Sequence, residues 1–149
     1  MALPAPVPGL VIRYAFLWRE KAARGLEEGS KDRPCAVILV TEEEGGGDER
    51  DIVVTVLPIT HTPLADADLA IEIPSATKRR LGLDDARSWI VVTDANRFVW
   101  PGPDLRFAEP GNPSSYACGL LPRSVYNETR DKFIAAVRAR RGKAVTRTE

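Results

Sequence analysis

The chain has 149 residues, and its 21 lysines and arginines balance its 21 aspartates and glutamates, so the formal net charge is zero. A hydrophobic fraction of 44% is enough for a buried core and argues against a disordered chain. The neutral balance excludes a protein that coats nucleic acid through bulk positive charge, so nucleic-acid binding would need a local patch. We expect a single domain over residues 1–149, with a proline-rich extension at residues 1–8.

The composition also predicts a cytoplasmic protein without a bound metal. Cys35, Cys118 and the single histidine are too few for a structural zinc site, and two unpaired thiols are typical of a reducing compartment. No apolar stretch is long enough to span a membrane, and the first nine residues hold three prolines and no basic residue, unlike a signal peptide. We therefore expect no metal, no other cofactor and no membrane contact.

Strand patterns dominate the first two thirds of the chain. Three runs have the alternation or the compact apolar character of strands: residues 10–18, 35–40 and 52–61. We expect Pro58 to end the third run, because proline lacks the amide proton that continues a ladder. Between the runs we expect two solvated loops, residues 19–32 and the acidic, glycine-rich residues 41–51.

The remainder of the chain predicts shorter strands and one terminal helix. Residues 69–74 and 88–93 have strand patterns, with an extension over residues 96–100, and a short helical turn is capped by Ser75 and stopped by Gly82. Proline- and glycine-rich loops follow. Residues 124–141 have the apolar spacing of an amphipathic helix, and residues 142–149 form a frayed basic tail. This order predicts a small, curled antiparallel sheet with a helix packed on it.

Two segments carry side chains suited to phosphate chemistry. A polar stretch ends in Arg33 directly before the second strand, and Thr60 and His61 come at the end of the third. If these strands pair as a hairpin, Arg33 and Thr60 lie at the same edge of the sheet, where an arginine fork beside a hydroxyl suits a phosphate diester. His61 is a possible general acid or base, although one histidine excludes a two-histidine ribonuclease mechanism.

In order along the chain, five segments resemble the MazF/PemK (Kid) toxins. They are GLVIRY (9–14), EGSKDRPCAVIL (28–39), VTVLPIT (54–60), LGLDDARSWIV (81–91) and GLLPRSVYNETRDKF (119–133). The resemblance covers about residues 8–137, and the R-P and P-I-T motifs in this order are its most specific parts. The loop before R-P and the proline-rich segment after residue 100 are longer than in compact toxins of this family.

The resemblance implies a mainly β fold, an SH3-like small barrel (PemK/CcdB-like) of antiparallel strands with a C-terminal α-helix, usually as a homodimer. It also implies a toxin that inhibits growth through metal-independent, sequence-selective cleavage of single-stranded RNA. The expected partner is a cognate antitoxin protein. Any DNA binding would occur only through that antitoxin. The family's catalytic arginine falls on Arg33 and its catalytic threonine on Thr60.

Four further residues are candidates for substrate binding: Glu28, Ser30, Lys31 and Trp100. Trp100 stands beside two prolines and is less easily buried than the aromatic residues of the first strand, which are typical core residues. Other interpretations stay open at this point. Arg33 is equally suited to an ion pair with Asp32 or Glu28, Thr60 is a common strand residue, and the chain fits a non-catalytic SH3-like module that binds a protein partner or nucleic acid.

Overall fold

A computed structural model describes residues 5–18, 31–45, 50–102, 104–106, 117–139 and 143–146. Within these ranges the strands are β1 (Leu10–Phe16), β2 (Lys31–Glu44), β3 (Arg50–Thr60), β4 (Ala70–Glu72), β5 (Trp89–Val91), β6 (Asp94–Val99), β7 (Leu105–Arg106), β8 (Ala117–Leu120) and β9 (Lys143–Thr146). The helices are α1 (Ser75–Arg80) and α2 (Arg123–Arg138), and a 3₁₀ turn covers Ala67–Leu69.

The described strands form one sheet in the order β4-β5-β3-β2-β1-β7, which does not close on itself. β8 also pairs with β1, β6 with β3, and β9 with β6. Every pairing is antiparallel except that of β6 with β9, which is parallel. The predictions of a mainly β fold with antiparallel strands and a C-terminal helix are confirmed.

Alternating residues of the central strands enter two apolar clusters on opposite faces of the sheet. On β2, Ala36 and Ile38 belong to the cluster beneath α2, whereas Cys35 and Val37 belong to the cluster on the other face. We call these the helix-side cluster and the far-side cluster. Burial on both faces explains why residues 35–40 read as a continuous apolar run rather than an alternating one.

The helix-side cluster exists because α2 presents an apolar stripe to the sheet. Val125 and Ala136 are buried in it, and Tyr126 packs against it while its hydroxyl donates to the Ile38 carbonyl at 3.1 Å. α1 contributes through the residue that follows it, Leu81. Gly82 then ends that helix with a φ of 72°, as its position predicts.

The far-side cluster is rich in aromatic residues. Tyr14 and Phe16 of β1 are fully buried, which confirms that they are core residues, and Tyr14 stacks on Phe98 with ring centroids 4.5 Å apart. Trp18 contacts Phe16 edge to face at 5.3 Å and is only partly buried. The aromatic side of β1 therefore runs from the core to the rim of the sheet.

The prediction that residues 41–51 form a loop is wrong for most of that segment. β2 continues to Glu44 and β3 begins at Arg50, with Glu44 opposite Arg50. An antiparallel ribbon satisfies its main chain across the pair, so its side chains can all be charged and exposed. Cross-strand ion pairs help, since Arg50 lies 3.6 Å from Glu42 and Arg97 lies 2.7 Å from Glu43.

Pro58 does not end β3, contrary to the sequence prediction. The strand pairs with β6 as far as Val56 and with β5 from Ile59 onward, so the missing amide proton of Pro58 falls where β3 changes partners. The prediction of a frayed tail is also wrong over residues 143–146, which pair in parallel with β6 as β9. Hydrogen bonds to β6 satisfy the main chain of this short segment and hold it as a strand, although half of its side chains are polar.

Two smaller predictions also need correction. α1 begins at Ser75, but its N-cap is Pro74 and no side chain caps it. The proline-rich segment after Trp100 contains a short strand, β7, and residues 117–120 form β8 against β1, although neither has a strand pattern of its own. No helix among the described residues is long and apolar enough to cross a membrane.

Candidate functional site

A row of side chains crosses the sheet on its far side, near the ends of five strands. From β1 to β4 the row consists of Tyr14, Arg33, Thr60, Trp89 and Glu72. Tyr14 pairs with Arg33, Thr60 with Trp89, and Trp89 with Glu72. We call these five residues the cross-strand row.

The two central members of the row, Arg33 and Thr60, lie at the same edge and face of the sheet. Cys35 and Pro58 are the last pair of the β2–β3 ladder, and Arg33 and Thr60 each lie two residues beyond that pair. Because side chains alternate along a strand, residues two apart point to the same face. Cys35 belongs to the far-side cluster, so Arg33 and Thr60 face that side too.

Among the described residues, the Arg33 side chain lies against an aromatic ring and forms no ion pair with an acid. Its guanidinium carbon lies 5.1 Å from the centroid of the Trp18 ring, and its Nε is buried without a hydrogen-bond partner among the described residues. The neighbouring Asp32 forms its ion pair with Arg106, at 3.4 Å. Among the described residues no group accepts from this N–H, and a guanidinium fork beside a hydroxyl suits an anion with several oxygens.

Asn96 fixes the chain that carries Trp18. Its side chain is fully buried, accepts from the Leu17 amide at 2.9 Å and donates to the Leu17 carbonyl at 2.8 Å. These two hydrogen bonds hold the backbone one residue before Trp18, where β1 has already ended. Asn96 therefore positions the ring that supports the Arg33 guanidinium.

His61 follows Thr60 and contacts the connection between α1 and β5. Its Nε2 lies 2.7 Å from Oδ2 of Asp84, and Oδ1 of Asp84 accepts from Nζ of the buried Lys78 at 2.8 Å. Lys78 also donates to the Ala86 carbonyl. The hydrogen bond from Lys78, with the nearby His61, holds the pKa of the Asp84 carboxyl below its usual value.

Toward the outer end of the row, Trp89 and Glu72 both contact Arg87, which makes a second arginine–tryptophan pair. The Arg87 guanidinium carbon lies 5.0 Å from the Trp89 ring centroid, and Arg87 binds both carboxylate oxygens of Glu72 at 2.8 Å. The hydrogen bonds lower the pKa of Glu72 and raise that of Arg87, so both stay charged. Two arginine–tryptophan pairs, at Trp18 and Trp89, thus flank Thr60.

The other predicted substrate-binding residues are only partly described. Glu28 and Ser30 lie outside the described residues. Lys31 begins β2, opposite Phe16, but its side chain is not among the described ones. Trp100 is partly buried, stacks on Phe98 with centroids 6.2 Å apart and packs against the far-side cluster. Its ring thus belongs to the margin of the core.

The sequence analysis missed Trp89, Asp84 and Asn96 as residues of this region. Trp89 lies in an apolar run that reads as a buried strand, so only the pairing with Thr60 and Glu72 reveals its place at the site. Asp84 lies in one of the five segments that carry the family resemblance and Asn96 lies in a short polar stretch, and neither residue was given a role. Their positions relative to Thr60 and Arg33 depend on long-range pairing, which a linear pattern does not contain.

The remaining reactive groups do not extend the site. Burial raises the pKa of both Cys35 and Cys118, which keeps these free thiols protonated. The described residues contain no group of three or more histidine, cysteine or carboxylate side chains placed to hold a metal ion. A groove of about 390 Å³ lies between the 3₁₀ turn and α2, and no residue of the cross-strand row lines it.

Comparison with protein-family models and with curated proteins gives no match to this chain.

Proposed function

We propose that the protein is a metal-independent endoribonuclease, the toxin of a type II toxin–antitoxin pair, that cuts single-stranded RNA. In this proposal it is a cytoplasmic homodimer with an SH3-like barrel fold, and a cognate antitoxin holds it in check. The products are a 2′,3′-cyclic phosphate and a 5′-hydroxyl. The resemblance of the R-P and P-I-T motifs to the MazF/PemK toxins is the starting point for this assignment.

The observation that carries the proposal is the environment of Arg33. Its Nε is buried without an acceptor among the described residues, its guanidinium lies over Trp18, and it shares an edge and a face with Thr60. Of the two acids that would pair with Arg33 as a structural residue, Asp32 pairs with Arg106, and Glu28 lies outside the described residues. A preorganised donor of this kind favours an anion with several oxygens, such as a phosphate diester.

In the proposed reaction the ribose 2′-oxygen attacks the adjacent phosphorus and loses its proton to solvent. The bond from phosphorus to the 5′-oxygen breaks, and that oxygen takes up a proton from solvent. The intermediate phosphorane carries more negative charge than the substrate, and Arg33 stabilises that charge. Thr60 hydrogen-bonds a phosphate oxygen and orients it for in-line attack.

The test is cleavage of total RNA in excess EDTA, with new 5′ ends mapped, by the unmodified protein and by Arg33→Ala. Removing one preorganised donor to a developing oxyanion costs about 10²–10³ in rate, or about 3–4 kcal/mol. We expect Arg33→Ala to lose that factor, to stay folded and to stop inhibiting growth. Thr60→Ala should lose a similar or smaller factor.

His61→Ala provides the matched comparison beside Thr60. The His61 imidazole is bonded to Asp84, so we expect the loss to stay within about tenfold. A general acid or base would cost about 10²–10⁴. If Arg33→Ala cleaves RNA like the unmodified protein, or if EDTA stops cleavage, the assignment is wrong. A non-catalytic module that binds RNA or a protein then takes its place.

A further inference from the structure

Trp89 occupies the position next to Thr60 in the cross-strand row. The two residues are a directly opposed pair of the β3–β5 ladder, so their Cβ atoms are separated by about 5 Å. Ile59 and Ile90, the adjacent pair, point into the helix-side cluster. Trp89 therefore stands on the same face as Thr60 and Arg33, and it is only partly buried.

The Trp89 ring is part of a fixed layer of planar groups. Arg87 lies over the ring, and a bidentate ion pair with Glu72, which is opposite Trp89 on β4, sets the orientation of the guanidinium. The Arg87 side chain remains 72% exposed. Aromatic rings and arginine guanidinium planes are the two surfaces on which proteins stack unpaired RNA bases.

We propose that the Trp89–Arg87 pair, oriented by Glu72, stacks a base of single-stranded RNA next to the phosphate bound at Arg33 and Thr60. This site depends on the proposed function, because the base belongs to the same strand as that phosphate. Successive phosphates of an RNA strand are separated by a distance comparable to one or two strand spacings. Thr60 and Trp89 lie on neighbouring strands, so a base next to the phosphate bound at Thr60 falls near Trp89. Arg33, on the other side of Thr60, lies over Trp18.

The test uses binding of RNA that cannot be cleaved. Fluorescein-labelled 2′-O-methyl oligoadenylate and oligouridylate lack the attacking hydroxyl, and their affinity is measured by fluorescence anisotropy over a range of salt concentrations. We expect Trp89→Ala to weaken binding about tenfold to a hundredfold, and to weaken oligoadenylate more than oligouridylate because purines stack more strongly. The slope of affinity against salt should not change, since no phosphate contact is removed.

Two variants separate stacking from loss of folding or of charge. Arg87→Lys keeps the positive charge on an exposed side chain but loses the fork to Glu72 and the planar face, and we expect it to weaken binding about threefold to tenfold. The control is Arg97→Lys. Arg97 also bonds a glutamate across strands, Glu43 at 2.7 Å, but lies over no aromatic ring among the described residues. It should bind like the unmodified protein.

The outcomes distinguish this site from the proposed function. Binding of both oligonucleotides by folded Trp89→Ala and by Arg87→Lys within about twofold of the unmodified protein overturns the stacking site, even if Arg33→Ala still abolishes cleavage. Conversely, unmodified protein that binds these oligonucleotides but leaves natural RNA intact overturns the endoribonuclease and not the stacking site. A rise in KM with unchanged kcat for cleavage by Trp89→Ala supports both.

Discussion

Asn96 shows how a single buried side chain connects the core to the candidate site. Its side-chain amide bonds both the main-chain N–H and the carbonyl of Leu17, the residue that follows the end of β1. An unsatisfied buried polar group costs about 1–3 kcal/mol. The position of Trp18, and through it that of the Arg33 guanidinium, thus depends on one amide from β6.

We expect Asn96→Ala to lower the free energy of unfolding by about 2–4 kcal/mol, because it leaves the two polar groups of Leu17 without partners. Urea unfolding followed by tryptophan fluorescence measures the change. The control is Asn127 in α2, whose side chain makes no hydrogen bond among the described residues. Asn127→Ala should change stability by less than about 0.5 kcal/mol. Equal effects of the two variants would contradict the role of Asn96.

At the scale of elements, the connection between α1 and β5 is held by a lysine that is almost fully buried. Lys78 donates to Asp84 and to the Ala86 carbonyl, and Asp84 also accepts from the Ala86 amide at 3.1 Å. The connection is thereby closed into a compact turn that leads directly to Trp89. The contact with His61 joins the same turn to the end of β3.

The stability of this turn should depend on pH in one direction. The pKa of Asp84 is lowered from 3.8 in the folded protein, so its carboxylate stabilises the fold above that pH and the contribution is lost as the pH falls through the folded pKa. We expect Asp84→Asn to cost about 1 kcal/mol at neutral pH, a modest figure because Asp84 is 55% exposed and partly screened by solvent. Thermal unfolding of the unmodified protein and of Asp84→Asn, at neutral pH and below pH 3.8, measures how much stability the substitution removes at each pH.

The adjacent Asp85 serves as the control for that experiment. It is exposed and makes no ion pair or hydrogen bond among the described residues. Asp85→Asn should therefore leave the unfolding temperature unchanged at both pH values. The role of Asp84 is contradicted if the difference between Asp84→Asn and the unmodified protein is as large in acid as at neutral pH.

At the scale of the whole molecule, several large apolar side chains of the sheet and of α2 remain exposed. The following large apolar side chains are more than a third exposed: Val7, Leu39, Ile52, Leu120, Ile134 and Val137. Single exposed apolar residues are common on monomers, but several of them on an open sheet and its helix favour a shared interface.

We expect a homodimer, in line with the proposed function and with these exposed apolar side chains. Light scattering coupled to gel filtration should give about twice the chain mass of 16.4 kDa. The measurement is made at several protein concentrations, because a weak dimer dissociates on dilution. A single species of the chain mass at micromolar concentration would rule out the dimer.

The sequence by itself determined the mainly β class, the central strands, the terminal helix and the two motifs that contain Arg33 and Thr60. These are local properties: apolar runs and alternation report which faces of a strand are buried, and helical spacing reports an apolar stripe. Gly82 likewise ends α1 because a positive φ is a local requirement.

Only the tertiary structure decided where those elements pair and which side chains share a face. Charged residues extend β2 and β3, and β7, β8 and β9 exist because neighbouring strands satisfy their main chains. For the same reason Trp89 could not be recognised from its own segment. It becomes part of the candidate site through β5, whose pairing with β3 sets it opposite Thr60, and cross-strand register depends on contacts between residues distant in the chain.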